Sequence, residues 1–155
     1  ALLAALEQPD PAARRTALAA IPAEGDRAAL RDLMLASGAS EADRGAALAT
    51  LAKIAGDATL PVTYRDLAVL RRVILGGAAL DMAERRAALE SIAAPGRPYR
   101  TLALEQRAYL DLEAGATAQA VETLRALSQD QEATSGLRRR AQQLIVALGG
   151  EAKAG

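Results

Sequence analysis

The chain of 155 residues contains no histidine, cysteine, phenylalanine or tryptophan, and only Lys53 and Lys153 among its 19 basic residues are lysines. Each shortage excludes something. Without imidazole or thiol there is no general base of the commonest kind, no thiolate nucleophile and no zinc site of the usual kind. The carboxylates are scattered and mostly stand at helix starts, where capping explains them. The Gly76–Gly77 pair lacks the lysine and hydroxyl spacing of a phosphate-cradling loop. No catalytic residue, metal ligand, cofactor or small-molecule substrate is therefore assigned. A net charge of zero removes the electrostatic case for nucleic acid or a bare membrane surface. The Arg138–Arg140 run is preceded by Asp130 and Glu132 and interleaves with no aromatic residue, so it reads as a solvated face. Absent cysteine suits either redox compartment. No apolar run reaches the roughly 18 residues that span a bilayer.

What remains is helical. Alanine fills 40 positions and leucine 24, the two best helix formers, while strand-favouring residues are scarce. The fold class is all-α. The chain also copies itself: Tyr64–Leu75 (YRDLAVLRRVIL) and Tyr99–Leu110 (YRTLALEQRAYL) agree at six of twelve positions at an offset of 35 residues. A self-match at that period is the signature of stacked helix pairs of the tetratricopeptide kind. Ala108, Gly115, Ala120 and Leu124 add that repeat's small, turn, small, large spacing. The expected architecture is a short tetratricopeptide-like superhelix over residues 1–150, with a disordered tail at 151–155.

Punctuation along the chain places the helices. Asp10–Pro11 caps the first full helix, with Arg14, Leu18 and Ile21 on one side. Gly25–Asp26 opens the next, with Leu30, Leu33 and Met34 as its core face and Gly38 at its end. Ser40 with Asp43 resembles a capping box ahead of Ala47, Leu51 and Ile54. Thr63, with Asp66 at the third position, caps the first copy, and Asp81 caps a helix burying Met82, Leu89 and Ile92. Ala94–Pro98 is a stiff linker into the second copy, which Gly115 ends. Ala120, Val121, Leu124 and Leu127 face inward from the helix that follows. Thr134 opens a last, capping helix with Leu137, Ala141, Leu144, Ile145 and Leu148 at helical spacing, and Gly149–Gly150 stops it.

Three segments carry a family resemblance: YRDLAVLR at Tyr64–Arg71, APGRPYRTLALEQRAYLDLEAG at Ala94–Gly115 and TSGLRRRAQQLIVALGG at Thr134–Gly150. Together they resemble the tetratricopeptide-like domain of the bacterial ancillary Sec translocon subunit family. The resemblance implies a non-catalytic scaffold on the periplasmic side of the inner membrane. Such a domain attends protein translocation beside translocon or periplasmic chaperone components. It also implies a single membrane helix ahead of the repeat domain. The abrupt opening on ALLAAL, with no Met and no capping residue, reads as a fragment whose preceding segment is missing. A soluble cytosolic repeat adaptor with a structural role is the alternative.

Two expectations concern individual side chains. Glu105 falls within the apolar arc of Leu102, Leu104, Ala108, Tyr109 and Leu112, where the first copy has Leu70. An isolated buried carboxylate is strongly disfavoured, so an arginine is expected to pair with it. On the other side, Arg65, Ala68 and Arg72 project away from Leu67, Leu70 and Ile74, and Arg100, Ala103 and Arg107 repeat that stripe. Arg65, Arg72, Arg100 and Arg107 are the expected binding surface for an acidic or carboxylate-ended protein segment, over a shallow alanine floor.

Overall fold

Local chemistry sets several helix ends in the computed structural model, which describes residues 1–150. The expected tail at 151–155 lies outside the described residues. Among the described residues every regular element is helical: α1 (Leu2–Leu6), α2 (Pro11–Ala19), α3 (Gly25–Ser37), α4 (Arg44–Gly56), α5 (Val62–Gly76), a 3₁₀ turn (Gly77–Ala79), α6 (Met82–Ile92), α7 (Arg100–Glu113), α8 (Thr117–Gln129) and α9 (Ser135–Ala147). Asp10 caps α2 by accepting the Ala13 N–H at 2.8 Å, with Pro11 in the first turn. Thr134 Oγ1 accepts the Leu137 N–H at 3.2 Å and opens α9.

Two helices stop in the same way. After α7, Gly115 takes φ +77°, its N–H bonds the Leu112 carbonyl at 3.0 Å, and the Ala116 N–H bonds Asp111 at 2.8 Å. After α9, Gly149 takes φ +82°, and the N–H groups of Gly149 and Gly150 bond Val146 and Ile145 at 3.0 and 2.9 Å. Both are Schellman stops, which use glycine because an L side chain is strained at positive φ.

Four expected ends differ. Asp81 stands at the N-cap of α6, but its side chain accepts no cap hydrogen bond. Ser40 donates its hydroxyl to Asp43 Oδ2 at 2.6 Å, closing a turn, and α4 begins only at Arg44. Thr63 does not cap α5, which starts at Val62 directly after Pro61. Gly38 keeps φ −101° at the end of α3, outside the left-handed region.

Arginine supplies a further start signal. In α2, α5, α6 and α9 the fourth residue is arginine, and it reaches back to a carbonyl ahead of its own helix. Arg14 donates to Gln8 at 2.9 Å, Arg65 to Leu60 at 3.1 Å, Arg85 to Leu80 at 3.1 Å and Arg138 to Ala133 at 2.8 Å. This position ordinarily packs an apolar side chain against the residue before the cap. Here a charged donor fixes the entry angle, and the aliphatic stem still covers apolar surface.

Within the span expected as one domain over 1–150, contacts cluster into two compact units, Ala1–Ala79 and the residues from Leu80 onward. In the first unit α4 packs most extensively against α5 and next against α3, over a core of Ala29, Leu33, Ala47, Leu51, Ile54 and Ala68. In the second, α7 packs against α8 and α6, and α9 covers α8. Its core joins Ala108, Ala120, Leu124, Leu127, Leu137 and Ile145.

The expected α3 face shifts by one helical position. Leu33 is buried with Ala29 and Ala36, while Leu30 is exposed and Met34 is half-buried. In helices this rich in alanine, small residues take the closest contacts and larger ones flank them. Ala108 and Ala120, both fully buried, play that part between α7 and α8. Ala108→Leu should therefore overpack the pair and destabilise the chain by about 1–3 kcal/mol, measurable as a lower urea midpoint with an unchanged slope.

Candidate functional site

Both copies of the repeated segment are helices, α5 in the first unit and α7 in the second, but their charges are placed differently. Ala68 and Ala103, expected as an exposed floor, are each 0% exposed. The helix face is thus rotated from the one assigned by projection: Asp66, Ala68, Leu70 and Val73 turn inward on α5, and Ile74 is 50% exposed. The four expected binding arginines consequently have different fates. Arg65 is spent on the Leu60 carbonyl. Arg72 is half-buried and is not a free cation. Arg100 donates through Nε to Glu132 and through Nη2 to Asp130, both at 2.7 Å. Arg107 is half-buried, and its Nε has no hydrogen-bond partner.

Helix α7 is the charged hub of the second unit. From α6, Arg85 grips Glu113 with two bonds of 2.8 and 2.7 Å, and Arg86 holds the buried Asp111 at 2.8 Å. From α9, Arg140 grips Glu105 through Nε at 2.8 Å and Nη2 at 2.9 Å, and the Tyr109 hydroxyl donates to the same carboxylate at 3.0 Å. Glu105 is only 4% exposed, so the expected arginine partner of this buried carboxylate is present. Arg100 completes the set by pinning the loop between α8 and α9. Each contact is a charge-assisted bond, and the Arg85–Glu113 and Arg140–Glu105 pairs are bidentate forks, which fix orientation as well as separation.

The first copy has none of this at the matching positions. Where α7 carries Glu105, Tyr109, Asp111 and Glu113, α5 and the turn after it carry Leu70, Ile74, Gly76 and Ala78. Asp111 and Glu113 are held from α6, by Arg86 and Arg85, and not by the stripe arginines of α7. Arg140 and Arg138, read as a solvated cap face, are latches instead, and Arg139 alone of that run is exposed without a partner among the described residues.

The pairs displace ionisation equilibria. The Arg85 guanidinium holds the Glu113 carboxyl below its ordinary range, and Arg100 does the same to Asp130. Burial, then the Glu105 charge, pushes the Tyr109 phenol up. For Glu113 and Asp130 the folded carboxyl releases its proton more readily than the unfolded one. Their stabilisation is therefore present above the unfolded carboxylate range, near pH 4, and lost as pH falls through the depressed folded values. Thermal stability should be level near neutrality and drop below about pH 4. Glu113→Gln should start from a lower melting temperature and show a shallower acid drop, which melting curves between neutral and acid pH would check.

Clefts near these residues are modest. One of about 420 Å³ lies along α7 and α8, lined by Arg100, Leu104, Gln119, Thr123, Ala126 and Asp130. In the first unit a cleft of about 250 Å³ is lined by Arg15, Asp32, Ala36, Asp43, Ala47 and Thr50. Its arginine is internally committed, to Asp43 at 3.0 Å and the Gly38 carbonyl at 2.6 Å. Among the described residues no group of three or more His, Cys, Asp and Glu side chains is placed to hold a metal ion. Nor is any helix among them long and apolar enough to cross a membrane. Among known proteins, no family model, no curated sequence and no solved structure matches this chain.

Proposed function

We propose that the chain is a non-catalytic protein-binding domain of the tetratricopeptide-like type, presenting helix faces to a partner polypeptide. The observation that supports this most is the α7–α8 hairpin. Ala108 and Ala120 are buried, Gly115 makes the left-handed turn and Leu124 fills the core behind it. That is the repeat's small, turn, small, large pattern in working order. The charge economy supports the same reading: the buried carboxylates Glu105 and Asp111 are committed to arginines that bind helices together, which suits a rigid scaffold better than acid–base chemistry.

Following the resemblance of its three segments, we further propose that the domain serves on the periplasmic side of the bacterial inner membrane. There it would assist Sec-dependent translocation or periplasmic chaperoning. The test is affinity capture of the natural polypeptide from solubilised membranes of its own cell, followed by mass spectrometry. Enrichment of translocon or periplasmic chaperone components over a mock capture is the expected result. Recovery from the cytosol with only cytosolic partners would overturn the periplasmic reading and favour the adaptor.

A further inference from the structure

The arginines of this chain form an unusually complete ledger. Arg14, Arg31, Arg65 and Arg138 bond carbonyls that lie ahead of helices. Arg15, Arg44, Arg85, Arg86, Arg100 and Arg140 pair with carboxylates. Arg72 and Arg97 are also engaged. Arg27, Arg71, Arg125 and Arg139 are exposed, and water solvates such groups at little cost. Among the described residues that leaves Arg107 as the half-buried arginine with no hydrogen bond and no ion pair. Its Nε is buried without an acceptor. Its two terminal nitrogens make no hydrogen bond and, unlike Nε, are not sealed from solvent.

We propose that Arg107 is the receiving group for a carboxylate on a bound polypeptide, an Asp or Glu side chain or a chain terminus. The proposal rests on the protein-binding reading above and identifies the chemistry of its partner. A guanidinium whose stem is held by packing and whose tip is open has already lost part of its rotamer freedom. It therefore captures an anion at lower entropic cost than a loose surface arginine. The two exposed nitrogens form a fork that matches the two oxygens of a carboxylate. The buried Nε–H also lacks an acceptor, which is unfavourable. Its single uncompensated charge suits a monoanion. A phosphate dianion calls for further donors, and the other arginines of α7's surroundings, Arg85, Arg86, Arg100 and Arg140, are already occupied by carboxylates.

The selectivity of the arrangement is legible on α7 itself. Arg100 precedes Arg107 by two helical turns and is neutralised by Asp130 and Glu132. Asp111, one turn beyond Arg107, is claimed by Arg86. The internal acids nearest along the helix are thus taken by other arginines, and Arg107 is left available.

The test uses the intact 155-residue chain labelled with ¹⁵N-arginine and an acetylated, all-glutamate tetrapeptide as probe. The Arg107 Nε–Hε resonance should shift saturably with peptide, while that of Arg139 stays still. Arg107→Lys, which keeps the charge and loses the fork, should weaken binding about tenfold or more. Arg107→Gln should abolish it, and Arg139→Gln should leave it unchanged. All three variants should keep the parent's helical spectrum, so lost binding cannot be confused with lost fold. Equal binding by parent and Arg107→Gln, or no saturable shift at Arg107 up to millimolar peptide, would overturn the proposal. That failure would leave the membrane capture result standing. Capture of no polypeptide at all would instead remove the scaffold reading.

Discussion

A chain ending at Ser128 is expected to leave the second unit unable to hold its fold. The deletion removes α9, whose Leu137, Ala141 and Ile145 are each almost fully buried against α8 and its neighbours. Leu137 and Ile145 together contribute about 3–6 kcal/mol of lost burial, at about 1.5–3 kcal/mol each. Whole domains have about 5–15 kcal/mol of stability. Electrostatics worsens the loss: Glu105 is stranded in the interior without Arg140, and Arg100 loses both Asp130 and Glu132. In helical arrays each element leans on its neighbours, and an uncovered last helix exposes its apolar face. The truncated protein should therefore be insoluble, or show a diminished and non-cooperative helical melt. A sharp transition at the parent's temperature would mean that α9 is an accessory and not a cap.

The second large effect separates two ways of breaking one ion pair. Arg140→Ala should destabilise the protein by about 1–3 kcal/mol, because it leaves a nearly buried carboxylate with only the Tyr109 hydroxyl as donor. The figure is held below that of a fully buried pair because the Arg140 side chain is 51% exposed and partly screened. Glu105→Leu should behave differently. The first copy carries Leu70 at the matching position, and replacing a buried charge by an apolar residue of similar size is often neutral or stabilising. The arginine left behind can turn to water. Combining Glu105→Leu with Arg140→Ala should cost little more than Glu105→Leu alone, and chemical denaturation of the three variants closes the cycle. Equal losses in both single variants would show that the pair acts through something other than the stranded charge.

Much of the fold is legible where chemistry is local. Asp10 and Thr134 cap as their side chains dictate, and Gly115 and Gly149 stop helices because only glycine sits easily at positive φ. The Ala108–Gly115–Ala120–Leu124 pattern works as its spacing suggests, and Glu105 betrays its partner because a charge inside an apolar arc demands one. Legibility fails where the deciding contact is distant in sequence. Arg85 and Glu113 are separated by 28 residues, and Arg86 and Asp111 by 25, so nothing local marks either pair. It fails too where residue size misleads. A projection that turns the largest side chains inward puts Leu30 and Ile74 in the core, yet the close approach of alanine-rich helices reserves it for Ala29, Ala36, Ala68 and Ala103. That same rotation is why the expected arginine stripe dissolves into two internal ties, one engaged side chain and the single open guanidinium of Arg107. The boundary between the two units falls just beyond Gly76–Gly77, a glycine pair weighed only as a phosphate loop.

Helix α7 is the fixed axis of the second unit, held by Arg85, Arg86, Arg100 and Arg140 so that Arg107 is presented from a rigid helix. Native-state hydrogen exchange, read residue by residue on the intact chain, tests this most directly, because protection reports the free energy of local opening. The amides of α7 from Ala103 to Asp111 should be the slowest to exchange in the second unit. In Arg140→Ala they should speed up more than those of α6. Amides of α7 that exchange as fast as those of α6, or that do not respond to Arg140→Ala, would mean that α7 is not the fixed axis of this unit.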